Sequence, residues 1–220
     1  MNRILIKQIK IITDELLKNS LVNLYNVGSY NNATKELSWS SSEPLDISFV
    51  LKNSDYAEIY KICCEKEAYN FMFIDGSLIQ LMYRLDRRSQ KIIAHRLAYL
   101  PNPNVEIYSN NENFDEDYYH SLDMFSEFID KSSFPVPVRF DYDIDENYYV
   151  EGTHTYSHLT LGNYKNCRIP VNIPLTPYKF IDFILKNFYN DKYINFHDKC
   201  TNTFENLLSE KEKKNIYFKF

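Results

Sequence analysis

Between Val138 and Leu161 the residues alternate with a period of two, and this constrains the fold more than any other stretch. Val138, Phe140, Tyr142 and Ile144 interleave with Arg139, Asp141 and Asp143, the pattern of a strand with one buried and one wetted face. From Thr153 to Leu161, His154, Tyr156, His158 and Thr160 fall on one face, and Thr155, Ser157, Leu159 and Leu161 on the other. Pairing as an antiparallel hairpin about the polar loop Asp145–Gly152 sends the apolar faces to a core and merges the ionisable faces into one surface. A helix is available to cover the apolar side. Thr176–Pro177 is a start signal, and Phe180, Ile181, Ile184, Leu185 and Phe188 give residues 177–189 a wide apolar face.

The preceding chain predicts more of the same sheet. Phe71–Ile74, the turn pair Asp75-Gly76 and Ser77–Leu85 read as a hairpin in which Asp-Gly supplies positive φ. After a polar turn at Asp86–Gln90, Lys91–Leu100 returns with Ile93, His95, Leu97 and Tyr99 on one face and Ala94, Arg96 and Ala98 on the other; Pro101 and Pro103 end it. His95 shares its face with apolar residues and reads as a structural histidine.

Leu5, Ile9, Ile12 and Leu16 predict an amphipathic helix over residues 3–24. A polar loop over Gly28–Glu43 carries the single tryptophan, Trp39, as an anchor. A short strand at Leu45–Leu51 and a helix from Asp55 to about Tyr69 follow, with Cys63 and Cys64 as core residues. The acidic stretch Asn104–Ser133 holds a short helix through Tyr118, Leu122 and Phe125, and Cys167–Val171 a short strand. Phe204–Lys213 suggests a last helix and Ile216–Phe218 an edge strand. The expected fold class is α+β: a mainly antiparallel curved sheet, a central C-terminal hydrophobic helix and an N-terminal amphipathic helix. Residues 1–220 are expected to form one domain, with a helical and loop region at 1–69, the sheet and core helix at 70–189, and an extension at 190–220.

A net charge of −5 gives no global attraction to nucleic acid and leaves only a local basic patch for phosphate. The four cysteines form no C-x-x-C pair, so free thiols in a reducing cytoplasm are expected. Lys7, Gln8 and Lys10 break the opening apolar run, which argues against a secretory signal, and no run reaches membrane-spanning length.

The candidate site residues, in order, are His158, His154, Asp141, Arg139, Asp143 and Arg168, with Tyr164 behind them. Strand alternation gathers the first five, and the next turn brings Arg168. Three readings fit. Two imidazoles working as base and acid, with Arg139, Lys165 and Arg168 stabilising phosphorane charge, would cleave RNA without metal or other cofactor. Asp141, Asp143, His154 and His158 would alternatively hold a divalent metal. In the third reading Arg139 pairs with Asp141 or Asp143, and the face meets a protein partner or solvent without chemistry.

Ile74–Tyr83, His95–Pro103, Arg139–Asp143, Ser157–Gly162 and Cys167–Pro170 resemble the motifs of a bacterial family catalogued as domain of unknown function 2290, across most of the chain after Tyr69. The R-F-D-x-D strand, the histidine strand and the R-I-P turn before a hydrophobic helix are also similar to small toxins of the TumE toxin–antitoxin type. Both resemblances imply a mobile conflict system, either a toxin or an antiphage defence component. An operon-encoded protein partner and a nucleic-acid target are the expectations that follow.

Overall fold

The computed structural model describes residues 2–26, 28–39, 55–103, 136–162, 167–189, 194, 196 and 204–220. Helix α1 (Asn2–Lys18) stops six residues earlier than its apolar spacing suggests. Ser20 adopts φ +53°, the Leu21 N–H reaches back to the Leu16 carbonyl and the Ser20 N–H to that of Leu17, so a left-handed cap closes the helix. The freed chain continues as strand β1 (Val22–Tyr25).

The stretch expected as a polar loop folds as a hairpin of β2 (Ser29–Asn31) and β3 (Glu36–Ser38). Its turn is held by Asn31 Oδ1, which accepts from the Ala33 and Thr34 N–H groups, and strands this short leave little periodic signal. Trp39 is buried, as an anchor should be. Helix α2 (Tyr56–Glu65) starts where Asp55 Oδ1 accepts the Glu58 N–H at 2.9 Å. Cys63 lies in its core-facing row, where burial pushes the thiol up to about 12.

Strands β4 (Phe71–Phe73), β5 (Leu78–Leu85), β6 (Ile92–Leu100), β7 (Val138–Asp143), β8 (Ser157–Leu161) and β9 (Ile169–Pro170) complete a nine-stranded sheet whose main path is β1-β4-β5-β6-β7-β8-β9, every pair antiparallel. β4 reaches only the first half of β5, so β3 pairs beside its second half through Glu36↔Arg84 and Leu37↔Tyr83. The β4–β5 turn uses positive φ at Gly76 alone, +79°, where the Gly76 N–H meets the Phe73 carbonyl and the Phe73 N–H meets that of Ser77. This is a three-residue loop with a glycine bulge rather than a two-residue turn. A second bulge lies between Arg84↔Ala94 and Leu85↔Ile92, leaving Ile93 as the extra residue of β6.

Helix α3 (Pro177–Phe188), capped by Thr176, lies across one face of the sheet. Phe180 and Phe183 meet Phe140 edge-on, and Tyr189, just past its end, meets Phe73 in the same way. With α1 they bury Phe71, Leu81, Tyr83, Leu97, Val138 and Leu159, each contributing about 1.5–3 kcal/mol relative to exposure. His95 faces this core. Its Nε2 accepts the Leu175 N–H at 2.9 Å, so the segment leading into α3 is pinned to β6, and burial lowers its pKa to about 4.

The opposite face is divided. Near β4 and the first half of β5 it is covered by α2 and Trp39, which pack on Leu78, Ala98 and Leu100. Towards β7 and β8 it is polar.

The expected helix over 204–213 is absent; residues 204–209 are irregular and only Glu212–Lys214 forms a 3₁₀ turn. Backbone groups there bond to the strand edge instead: the Leu207 N–H to the Asn172 carbonyl, the Phe218 N–H to that of Pro170, and the Asn172 N–H to that of Phe218. The expected edge strand at 216–218 is reduced to one parallel bridge, Val171↔Phe218. The proposed strand at 45–51, the helix within 104–133, Tyr164 and Lys165 fall outside the described residues. Among the described residues no helix is long and apolar enough to cross a membrane.

Candidate functional site

Register assembles the polar face. β6, β7 and β8 align Arg96↔Asp141 and Asp141↔His158 in one cross-strand row, with Ala98↔Arg139↔Thr160 in the row two residues along β7. The alternation of β7 sends Val138, Phe140 and Tyr142 inward and Arg139, Asp141 and Asp143 outward.

Asp141 is the hub. Arg96 Nε donates to Oδ1 at 3.1 Å and Arg139 Nε to Oδ2 at 2.6 Å, while His158 Nε2 stands 3.9 Å from Oδ2. The Asp141 side chain is 16% exposed, those of Arg96 and Arg139 27% and 29%, and that of His158 7%. Burial alone would raise the Asp141 carboxyl, but the Arg139 and Arg96 guanidiniums outweigh it and hold it below its ordinary value. Burial lowers the His158 pKa to about 4, against the pull of Asp141. Its Nδ1–H donates to the Thr155 carbonyl at 3.1 Å, which leaves the lone pair on Nε2, on the side of the Asp141 carboxylate. Both arginines bind Asp141 through Nε, and their Nη groups make no hydrogen bond among the described residues.

Asp143 is engaged elsewhere, with Arg84 Nη2 at 3.2 Å, and not with Arg139. His154 is not part of β8, which begins three residues later. Gly152 at φ +80° and the Val150↔His154 bridge close a tight turn, and Thr155 Oγ1 bonds to the Ser157 carbonyl before the strand is established. The imidazole still reaches the site: its centroid lies 5.1 Å from that of His158, and its Nδ1 is held by the Tyr148 carbonyl. Arg168 is exposed just before β9, and its charge helps to lower His158.

Arg96 and Arg84 were not among the residues expected at the site. The β6 alternation places Arg96 on the face opposite His95, but that β6 adjoins β7 is seen only in the folded sheet. Among the described residues no three His, Cys, Asp or Glu side chains gather at metal-binding range, so Asp141, Asp143, His154 and His158 do not converge as a ligand set. Asp141 is already shared by two guanidiniums. Among the described residues, what the arrangement offers chemically is a neutral imidazole base beside two guanidiniums whose Nη edges are not bonded.

Neither a search of curated proteins nor one of solved structures returns a match. The family described as an uncharacterized conserved protein (DUF2290) matches residues 21–220, a span that begins just after α1 and takes in all the described strands and the described helices α2 and α3. The chain therefore belongs to the DUF2290 family.

Proposed function

We propose that this protein is the nucleic-acid-cleaving component of a bacterial conflict system, working in the cytoplasm on RNA phosphodiesters through the polar face of β6–β8. The observation that carries the reading is the row Arg96–Asp141–His158, with Arg139 on the same carboxylate. The Nη edges of Arg96 and Arg139, which bond to no described residue, suit the oxygens of a phosphoryl group. His158 Nε2 takes the proton from the 2′-hydroxyl as its oxygen attacks phosphorus, and His154 gives a proton to the 5′-oxygen as the P–O bond breaks. Asp141 fixes the arginines. The incoming phosphate adds negative charge beside His158 and moves its pKa up from about 4 towards the working range. The conflict-system setting rests on the sequence likeness to toxin and defence proteins.

The test is cleavage of single-stranded and structured RNA by the purified chain, alone and with the products of neighbouring genes. Expected is cleavage that survives a chelator, is lost in His158→Ala and falls sharply in Arg139→Ala. A stable His154→Ala/His158→Ala variant that cleaves normally overturns the reading.

A second reading, a non-catalytic subunit that docks a protein partner, is favoured by the exposed apolar side chains Ile144, Tyr148 and Val150 bordering the same face. It expects Arg139→Ala or Asp141→Ala to weaken co-purification with the partner while no variant changes any cleavage.

A further inference from the structure

Glu212 is a carboxylate with no residual exposure, in a chain segment that the proposed chemistry does not use. Its oxygens accept the Ser209 N–H at 2.9 Å and the Gly152 N–H at 3.4 Å, the second joining it to a loop 60 residues away. The Tyr149 phenol lies near the Glu212 and Ser209 side chains, and burial together with the Glu212 charge raises its pKa. Ser209 Oγ in turn accepts the Glu212 N–H at 3.2 Å. Among the described residues no lysine or arginine pairs with Glu212; Lys211 instead reaches Glu151 at 3.7 Å, adding a weak outer contact between the same two segments. Burying a carboxylate with only neutral donors is costly unless those donors are fixed, so the cluster draws the loop and the C-terminal segment together.

The loop so held carries the second imidazole. Tyr149 stacks on Tyr156 with centroids 4.3 Å apart and planes 14° from parallel. The neighbouring Tyr148 carbonyl holds His154 Nδ1, and His154 lies against His158. A continuous set of contacts thus runs from Glu212 through the Gly152 N–H into the loop, and from the loop's Tyr148 carbonyl through His154 to His158.

We infer that Glu212 is a positioning residue: by clamping the 145–152 loop to the C-terminal segment it sets where His154 stands relative to His158. The functional weight of that placement rests on the two-histidine reading above, but the placement can be measured without any activity. The full chain with isotope-labelled histidine is compared as wild type, Glu212→Gln and Glu212→Ala by the nuclear Overhauser effect between the His154 and His158 rings and by amide exchange. Glu212→Gln keeps an acceptor oxygen and is expected to retain the ring contact. Glu212→Ala is expected to lose it and to exchange roughly tenfold faster across residues 147–154, with β6–β7 amides unchanged. If Glu212→Ala does not fold, Tyr149→Phe, which removes only one hydroxyl, carries the test, with the same loss in smaller measure.

An unchanged ring contact and unchanged loop exchange in Glu212→Ala, or in Tyr149→Phe where it stands in, overturn the inference. So does equal loss in Glu212→Gln, because the clamp would then not depend on an acceptor. RNA cleavage measured on the same variants separates the two claims: an intact clamp with no cleavage in any preparation removes the nuclease reading alone.

Discussion

The two buried imidazoles make an acid-stability prediction that can be worked from the structure. His95 and His158 both have folded-state pKa values lowered from 6.5 to about 4, burial being the largest cause in each. Between those values the unfolded chain binds protons that the native chain refuses, so stability falls as pH falls from about 6.5 to about 4 and levels off below. Each proton is worth about 1.4 kcal/mol per pH unit, or about 3 kcal/mol per histidine across the window. The charge of His158 is itself among the causes that lower His95, so the joint loss is on the order of 5 kcal/mol rather than a full sum.

Two carboxyls modify the window. Asp141, held low, adds its own loss only below about pH 3.8. Asp75 is raised by burial, against its bonds from Tyr189 and Ser77, so it takes up a proton in the native state first and offsets part of the loss at the acid end. The assay is urea unfolding at a series of pH values from about 7.5 to about 4.5, on wild type and two non-titrating variants. His95→Gln keeps an acceptor for the Leu175 N–H, and His158→Asn keeps a donor for the Thr155 carbonyl. Each should remove about half of the slope. A wild-type slope that persists undiminished in both variants would refute the assignment of these protons to His95 and His158.

Two further outcomes test the packing. Asp141→Asn leaves Arg96 and Arg139 half-buried without their shared counter-charge and should cost on the order of 2 kcal/mol in chemical denaturation, less than a fully buried pair because all three side chains keep some exposure. Gly76→Ala forces an alanine into φ +79° with its Cβ 2.7 Å from Asn102 Nδ2 and 3.2 Å from the Tyr60 hydroxyl, and should lower stability by about 1–2 kcal/mol.

The elements legible in the sequence were those with several turns of period or a strong end signal. β5, β6, β7 and α3 fall where alternation, Asp75-Gly76 and Thr176-Pro177 put them, because many residues agree on one face. The misplaced elements are short or closed by contacts distant in sequence. Three residues each in β2 and β3 give no countable period, and the arrest of α1 depends on a serine doing what glycine usually does. The C-terminal segment has helical spacing, but its backbone groups bond to Pro170 and Asn172, whose proximity only the folded sheet reveals. At the site, Asp141 and His158 were legible because one hairpin supplies both. Arg96 required knowing that β6 adjoins β7 across a connection of 37 residues, Pro101–Pro137. The partnership of Asp143 with Arg84 required the strand beyond that.

The bulge at Ile93 bears on how much length the chain can lose. His95 and Arg96 are adjacent, one in the core beneath α3 and the other on the polar face, so a single-residue deletion between Ala94 and Leu100 would exchange their surroundings. Removing Ile93 has a different result. Ile92 would then follow the Arg84↔Ala94 pair directly, still opposite Leu85 and still facing the core, and the ladder would become regular without turning any later side chain over. Because residues 92 and 93 are both isoleucine, deleting either gives the same chain, so the meander has this one tolerant pair beside a run in which no deletion is neutral, and a deletion scan along β6 should change from permissive to intolerant within two residues.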